Sequence, residues 1–132
     1  MQVRVIGGVG DLARDTRKVA VGARRDMVGV VREGIKAGNV VARDFARESS
    51  GSHGKHYPKA FSSEMKPFGA LGLIAGEYGP DESKPQGGMS FERGSRNQPA
   101  HNDLAKSADL IGPAFRGEVR RVVDGWFWPG AE

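Results

Sequence analysis

Apolar and small residues recur at intervals of three and four through the first third of the chain: Leu12, Thr16, Val19, Ala23, Met27, Val30, Gly34, Gly38, Val41 and Phe45. That spacing lines them up on one face of a helix. Arg14, Arg17, Lys18, Arg24, Arg25, Arg32, Lys36, Arg43 and Arg47 fall on the other faces, interleaved with Asp15, Asp26, Glu33 and Asp44. The pattern predicts one long helix over 11–48, with Asp11 as its N-cap after the Gly-rich "GGVG" and a bend near Gly38–Asn39. Such a helix spans roughly 55 Å at 1.5 Å per residue, longer than so small a domain covers by itself. Each interior glycine weakens it by up to ~1 kcal/mol relative to alanine, so packing on neighbours must offset the loss.

Beyond the helix the period changes. "QVRVI" at the start alternates and reads as a short strand. "ESSGSHGKHYPK" is a loop by composition. "KAFSSEMK" and "ALGLIAGEYG" are strand candidates, with Leu71, Leu73 and Ala75 sharing a face. "GPDESKPQGG" is a polar turn and "MSFER" a third strand candidate. "GSRNQPAH" cannot stay a regular interior strand through Pro99. Asp103 is placed to cap a short helical turn over 103–110, and Pro113 suits the first turn of a last helix. Phe115, Val119, Val122 and Trp126 form that helix's apolar face, and Pro129–Gly130 stop it. The order is helix, about three strands, helix: an α+β chain forming a single domain over 1–132. Its parts are the long helix 11–48, sheet and loops 57–98, and a C-terminal helical region 103–128.

Composition narrows the function. The chain has 132 residues, 38% of them hydrophobic, with 20 glycines. A core that thin gains from a partner that covers apolar surface. With no cysteine, thiolate catalysis, disulfides and Cys-based zinc sites are excluded. No apolar run approaches the ~20 residues of a membrane helix. The first residues are too short an apolar stretch for a signal peptide and acidic residues follow at once, so a cytosol-like compartment is expected. The net charge of +4 sits in the first segment, where residues 1–50 carry 10 Lys and Arg against 6 Asp and Glu. This makes the long helix mildly attractive to phosphates or acidic protein faces.

Each candidate motif also has a plainer reading. "GVGDLA", residues 8–13, fits the G-x-G-x-x-A dinucleotide fingerprint between a strand and a helix, yet no second buried strand with an acidic end follows. A Gly-rich link into a capped helix accounts for it. His53, His56 and His101 with Asp103 can be drawn as a metal set, but the first two lie in a Gly/Ser-rich loop that would not hold ligand geometry. Glu64, Glu77 and Glu92 each neighbour a strand candidate, where a carboxylate pair could do acid–base work; charged residues on the outer face of a small sheet explain them better. No Ser-His-Asp arrangement can be inferred. The arginine-rich helix could track a phosphate backbone, which keeps a small DNA-binding or nucleotide-binding protein as the alternative function.

The segment "YGPDESKPQGGMSFERGSRNQPAHNDLAKSADLIGPAF" resembles the tail-completion, or neck, proteins that connect head and tail in long-tailed phages of actinobacteria. "VRVIGGVGDLARDTRKVA" and "ARESSGSHGKHYPKAF" resemble the same family, so the likeness covers nearly the whole chain. Its most specific part is the frame "GPD…QGGMSFE-x-GSRNQP-x-H-x-DL". Arg93 and Ala100 depart from the pattern, standing where relatives often carry an aromatic residue and a second proline.

The resemblance implies a long N-terminal helix, a small antiparallel sheet and a C-terminal helix, and a structural rather than enzymatic role. It implies a virion protein of the neck, assembled in the host cytoplasm, forming a homo-oligomeric ring of sixfold or related symmetry. Its partners would be other neck and tail proteins, with DNA or the tape-measure protein in the channel, and neither cofactor, metal nor membrane. On that reading Glu92, Arg93, Arg96, Asn97, Gln98 and Trp128 are candidates for the subunit interface. Trp126 is the core anchor. Arg14, Arg17, Lys18, Arg24 and Arg25 lie on a helix that faces the channel or packs between subunits.

Overall fold

The computed structural model describes residues 9–66 and 74–127. The first strand candidate, Gly7 and Gly8 of the Gly-rich link, Leu71, Leu73 and Trp128 lie outside these residues. Within them the expected α+β architecture is present. A long helix α1 (Val9–Ser50) leads through a 3₁₀ turn (Pro58–Ala60) into an antiparallel hairpin, β1 (Phe61–Lys66) and β2 (Ala75–Pro80). A single helical turn, α2 (Ser90–Arg93), precedes the C-terminal helix α3 (Asp103–Phe127).

α1 is one helix of 42 residues, roughly 63 Å long, and it continues through Gly38–Asn39. Its inward line is made of small residues spaced by four: Gly34, Gly38, Ala42, Ala46 and Ser50. They serve as notches for aromatic rings. A Cβ placed on Gly34 would come 2.7 Å from the Phe115 ring of α3, and one on Gly38 would come 2.5 Å from the Tyr78 ring of β2. Ala42 and Ala46 are wholly buried beneath Tyr57 and Phe61, with Tyr78, Phe91 and Leu104 packed around them. The inward line therefore continues from Gly38 to Ala42 and Ala46, not to Val41 and Phe45 as the spacing predicts. Rings standing on the helix need a residue no larger than alanine beneath them.

The core is compactly aromatic. Tyr57 meets Phe61 edge-on at 5.0 Å between centroids and stacks on Phe91 at 4.5 Å. Burying each such ring contributes about 1.5–3 kcal/mol. One face of the hairpin lies on α1, where Ile35 fills the space that a side chain at Gly76 would occupy. Arg43, expected on a solvated helix face, instead donates to the Phe61 carbonyl at 3.1 Å and ties α1 to the start of β1.

Two further expectations are corrected. "MSFER" is not a third strand: the Arg93 N–H donates to the Met89 carbonyl at 2.9 Å and closes a helical turn. Phe91 must meet Tyr57 while its neighbour Glu92 meets the start of α3. Successive side chains about 100° apart can do this, whereas in a strand they would point to opposite faces. The C-terminal region is likewise a single 25-residue helix that runs through Pro113, not a short turn followed by a helix opening at the proline. Pro113 is exposed, so the Asp109 carbonyl that loses its helical partner is left to water.

Candidate functional site

α3 runs antiparallel to α1, and three contacts fix the register: Asp103 with Ser49, Phe115 against Gly34, and Trp126 with Asp26. At the Ser49 end, a polar cluster joins α1, α2 and α3. The Asp103 side chain is fully buried and accepts from Ser49 Oγ at 2.9 Å. Ser49 Oγ also lies 3.0 Å from His101 Nδ1. Because the single hydroxyl hydrogen goes to the carboxylate, His101 must carry a proton on Nδ1 and donate it to Ser49.

This brings together a serine, a histidine and an aspartate that the sequence alone did not connect. The order is Asp–Ser–His, however. A hydrolytic triad needs the imidazole between the other two, so that it can take the hydroxyl proton. The Tyr57 hydroxyl, buried nearby without a hydrogen-bond partner, is pushed well above the usual phenol range by burial and by the charges of Glu92 and Asp103. It stays protonated and cannot act as a base near neutral pH. The cluster is a clasp between helices.

Glu92 belongs to that clasp, not to the outer face of the sheet or to a subunit contact. Its carboxylate is buried and accepts from the Leu104 N–H at 2.8 Å and the Ala105 N–H at 3.2 Å. It therefore caps α3 from eleven positions before the helix begins, the role expected of Asp103. Asn102, at φ 57°, turns the chain into the helix. The signal for the clasp in the sequence is Asp103 and Ser107 one turn apart on the inward side of α3. Ser107 Oγ donates to the Leu104 carbonyl at 2.7 Å, so Tyr78 donates its hydroxyl to Ser107 at 2.8 Å.

Arg93, Arg96 and Asn97 are exposed. Ser95 and Gln98 close a tight turn by exchanging backbone hydrogen bonds of 2.9 and 3.3 Å, which puts Arg96 and Asn97 at its tip. Gln98 is half-buried at the base. Gly94 adopts φ 83°, and a Cβ there would lie 2.8 Å from the Ala100 nitrogen, so both conformation and space require glycine. His101 N–H to the Phe91 carbonyl, at 2.8 Å, and Asn102 N–H to the Glu92 carbonyl, at 3.2 Å, hold the base of the turn to α2.

The hairpin face turned away from α1 is acidic. Glu64 and Glu77 sit directly opposite each other and share one cation, Lys66 Nζ, at 2.6 and 2.7 Å. Hydrogen bonds to these two carboxylates raise the Lys66 ammonium to about 12. With Asp81, Glu82, Met89 and Leu104 they border an open cleft of about 640 Å³. Asp81 is held below the usual carboxylate range by hydrogen bonds from the Ser83 hydroxyl and N–H and by Lys84.

Toward the other end of the molecule, α1 and α3 leave an open groove of about 1000 Å³ between them, lined by Val30, Ala37, Ile111, Phe115, Val122 and Trp126 among others. Trp126, expected in the core, is half-buried here and donates to Asp26 at 3.1 Å. Arg17, Lys18, Arg24 and Arg25 are exposed and at heptad spacing, so they occupy one arc of α1 about 120° wide. The Arg14 side chain is outside the described part.

Among the described residues no three His, Asp or Glu side chains are grouped so as to hold a metal ion; His53 and His56 are exposed in the loop after α1. Gly10 already lies inside α1, and the next strands are an antiparallel hairpin rather than the parallel pair that a dinucleotide fold requires. No described helix is long and apolar enough to cross a membrane. No family model, curated protein or solved structure matches the chain.

Proposed function

We propose that this protein is a structural, non-enzymatic subunit of the neck of a long-tailed phage, forming a ring that joins head to tail or completes the upper end of the tail. The observation that carries the reading is the reach of α1 beyond its own core. The hairpin contacts described above fall at Ile35, Gly38 and Arg43 of α1; ahead of them Gly34 and Asp26 meet α3, and the largely apolar groove between the two helices is open. Two helices without a third layer are a poor core, and a neighbouring subunit supplies the missing cover. The likeness of residues 78–115 to neck proteins and the projecting arginine turn support the same reading.

Sedimentation and electron microscopy of the purified chain test it, together with antibody labelling of phage particles at the head–tail junction. Closed rings and neck labelling are expected. A monomer at every concentration, absent from particles, would end the proposal. The arc of Arg17, Lys18, Arg24 and Arg25 favours one further reading, contact with DNA. It predicts an affinity that falls steeply with salt whether or not the protein is assembled.

A further inference from the structure

A closed ring needs two different faces that fit each other, since a head-to-tail contact joins unlike surfaces of identical chains. Resting on that reading, we infer that the two faces are the arginine turn at 93–97 and the outer face of the β1–β2 hairpin: the turn of one copy seats in the acidic cleft of the next.

The hairpin face is short of cations. Like charges directly opposite across a ladder repel, and Glu64 and Glu77 have Lys66 alone between them. Asp81 and Glu82 add two more carboxylates at the rim of the cleft, and Lys84 belongs to the same turn, its N–H donating to the Asp81 carbonyl. Four carboxylates against two lysines leave two negative charges unmatched. Arg93 and Arg96 bring two positive ones, and among the described residues neither is ion-paired within its own chain.

The shapes agree with the charges. Met89 and Leu104 give the cleft an apolar wall on which the methylene stems of arginine can lie while the guanidinium reaches the carboxylates in bidentate fashion. The turn is set before it binds. Its tip is closed by Ser95 and Gln98, and its base is tied to α2 by the His101 and Asn102 amides. Little conformational freedom is then lost on docking. Phosphate would also attract these arginines, but the chain itself offers a matching acidic surface.

The test uses two charge-reversed full-length chains, Arg93→Glu/Arg96→Glu and Glu77→Lys/Glu82→Lys, with circular dichroism to show that each folds; all four positions are exposed. Each variant alone is expected to assemble roughly tenfold more weakly or worse than the natural chain. Mixed together, the natural turn of one variant meets the natural cleft of the other and the reversed turn meets the reversed cleft, so assembly should return toward that of the natural chain; a mixture that stays as weak as either variant alone would overturn the contact. If the natural chain forms rings and both variants form them equally well, this contact is wrong and the ring stands. Normal assembly of the arginine variant with loss of DNA affinity assigns the turn to phosphate and also overturns the contact. If the natural chain never assembles, the ring reading falls and this contact with it.

Discussion

Gly38→Ala is the sharpest test of the notch packing, because the same substitution should have opposite signs at two places in one helix. Alanine is favoured over glycine inside a helix by about 1 kcal/mol. At Gly29 nothing lies within 4 Å of the added Cβ, so Gly29→Ala should stabilise the protein by about 0.5–1 kcal/mol. At Gly38 the Cβ would lie 2.5 Å from Tyr78 Cε1 and 2.6 Å from Cζ. The ring must retreat by about 1 Å to reach ordinary contact distance. It is held at both ends, by the sheet backbone opposite Ser63 and by its hydroxyl on the buried Ser107. Overpacking of this kind costs about 1–3 kcal/mol, and losing the tyrosine–serine bond about 0.5–1.5 kcal/mol more. Set against the gain in helix propensity, the net loss is about 1–3 kcal/mol. Urea unfolding followed by circular dichroism at one protein concentration measures it. A loss of 2 kcal/mol moves the midpoint by roughly 1 M. If Gly38→Ala proved as stable as Gly29→Ala, the glycine would not be a seat for the ring.

Three further outcomes are expected. Glu92→Ala strips the cap from α3 and leaves two N–H groups without partners, lowering stability by about 1–3 kcal/mol, with Glu92→Gln in between; an unchanged melting temperature for the alanine variant would remove Glu92 from the clasp. Ser49→Ala takes away the hydroxyl that donates to buried Asp103, for a loss of about 1–3 kcal/mol in denaturant unfolding, and a neutral result would refute that bond. Tyr57→Phe removes an unpartnered hydroxyl, so stability at neutral pH should hold or rise. The sign of its pH dependence follows from the raised folded value. Below pH 10 both states keep the phenolic proton; above it the unfolded chain ionises first, and the natural protein loses up to about 1.4 kcal/mol per pH unit. The phenylalanine variant lacks that loss, and parallel stability curves from pH 9 to 11 would contradict the burial of Tyr57.

α1 is legible because its three-and-four spacing persists from Leu12 to Phe45, about nine turns, and β1 because it alternates between a loop and a polar end. What the sequence did not disclose lies where long-range geometry decides. Met89 and Phe91 alternate with polar neighbours like a strand, but four residues cannot distinguish a strand from one helical turn when the partners are unknown. Glu92 looked like a surface charge because its hydrogen-bond donors, Leu104 and Ala105, become neighbours only after the turn at 94–98 has folded back. Pro113 sits inside α3 because the carbonyl it orphans is on the wet side, a fact of tertiary placement. In the sequence the glycines of α1 are only a burden on the helix, while the rings that require them come from β2 and α3.

Those glycines also leave a signature that survives sequence drift. In any chain sharing this fold, bulk at positions 34 and 38 must trade against bulk at 115 and 78: a helix that fills its notch can do so only where the opposing ring has shrunk. Reciprocal size exchange at those two pairs would mark kinship with this protein even where overall identity has faded.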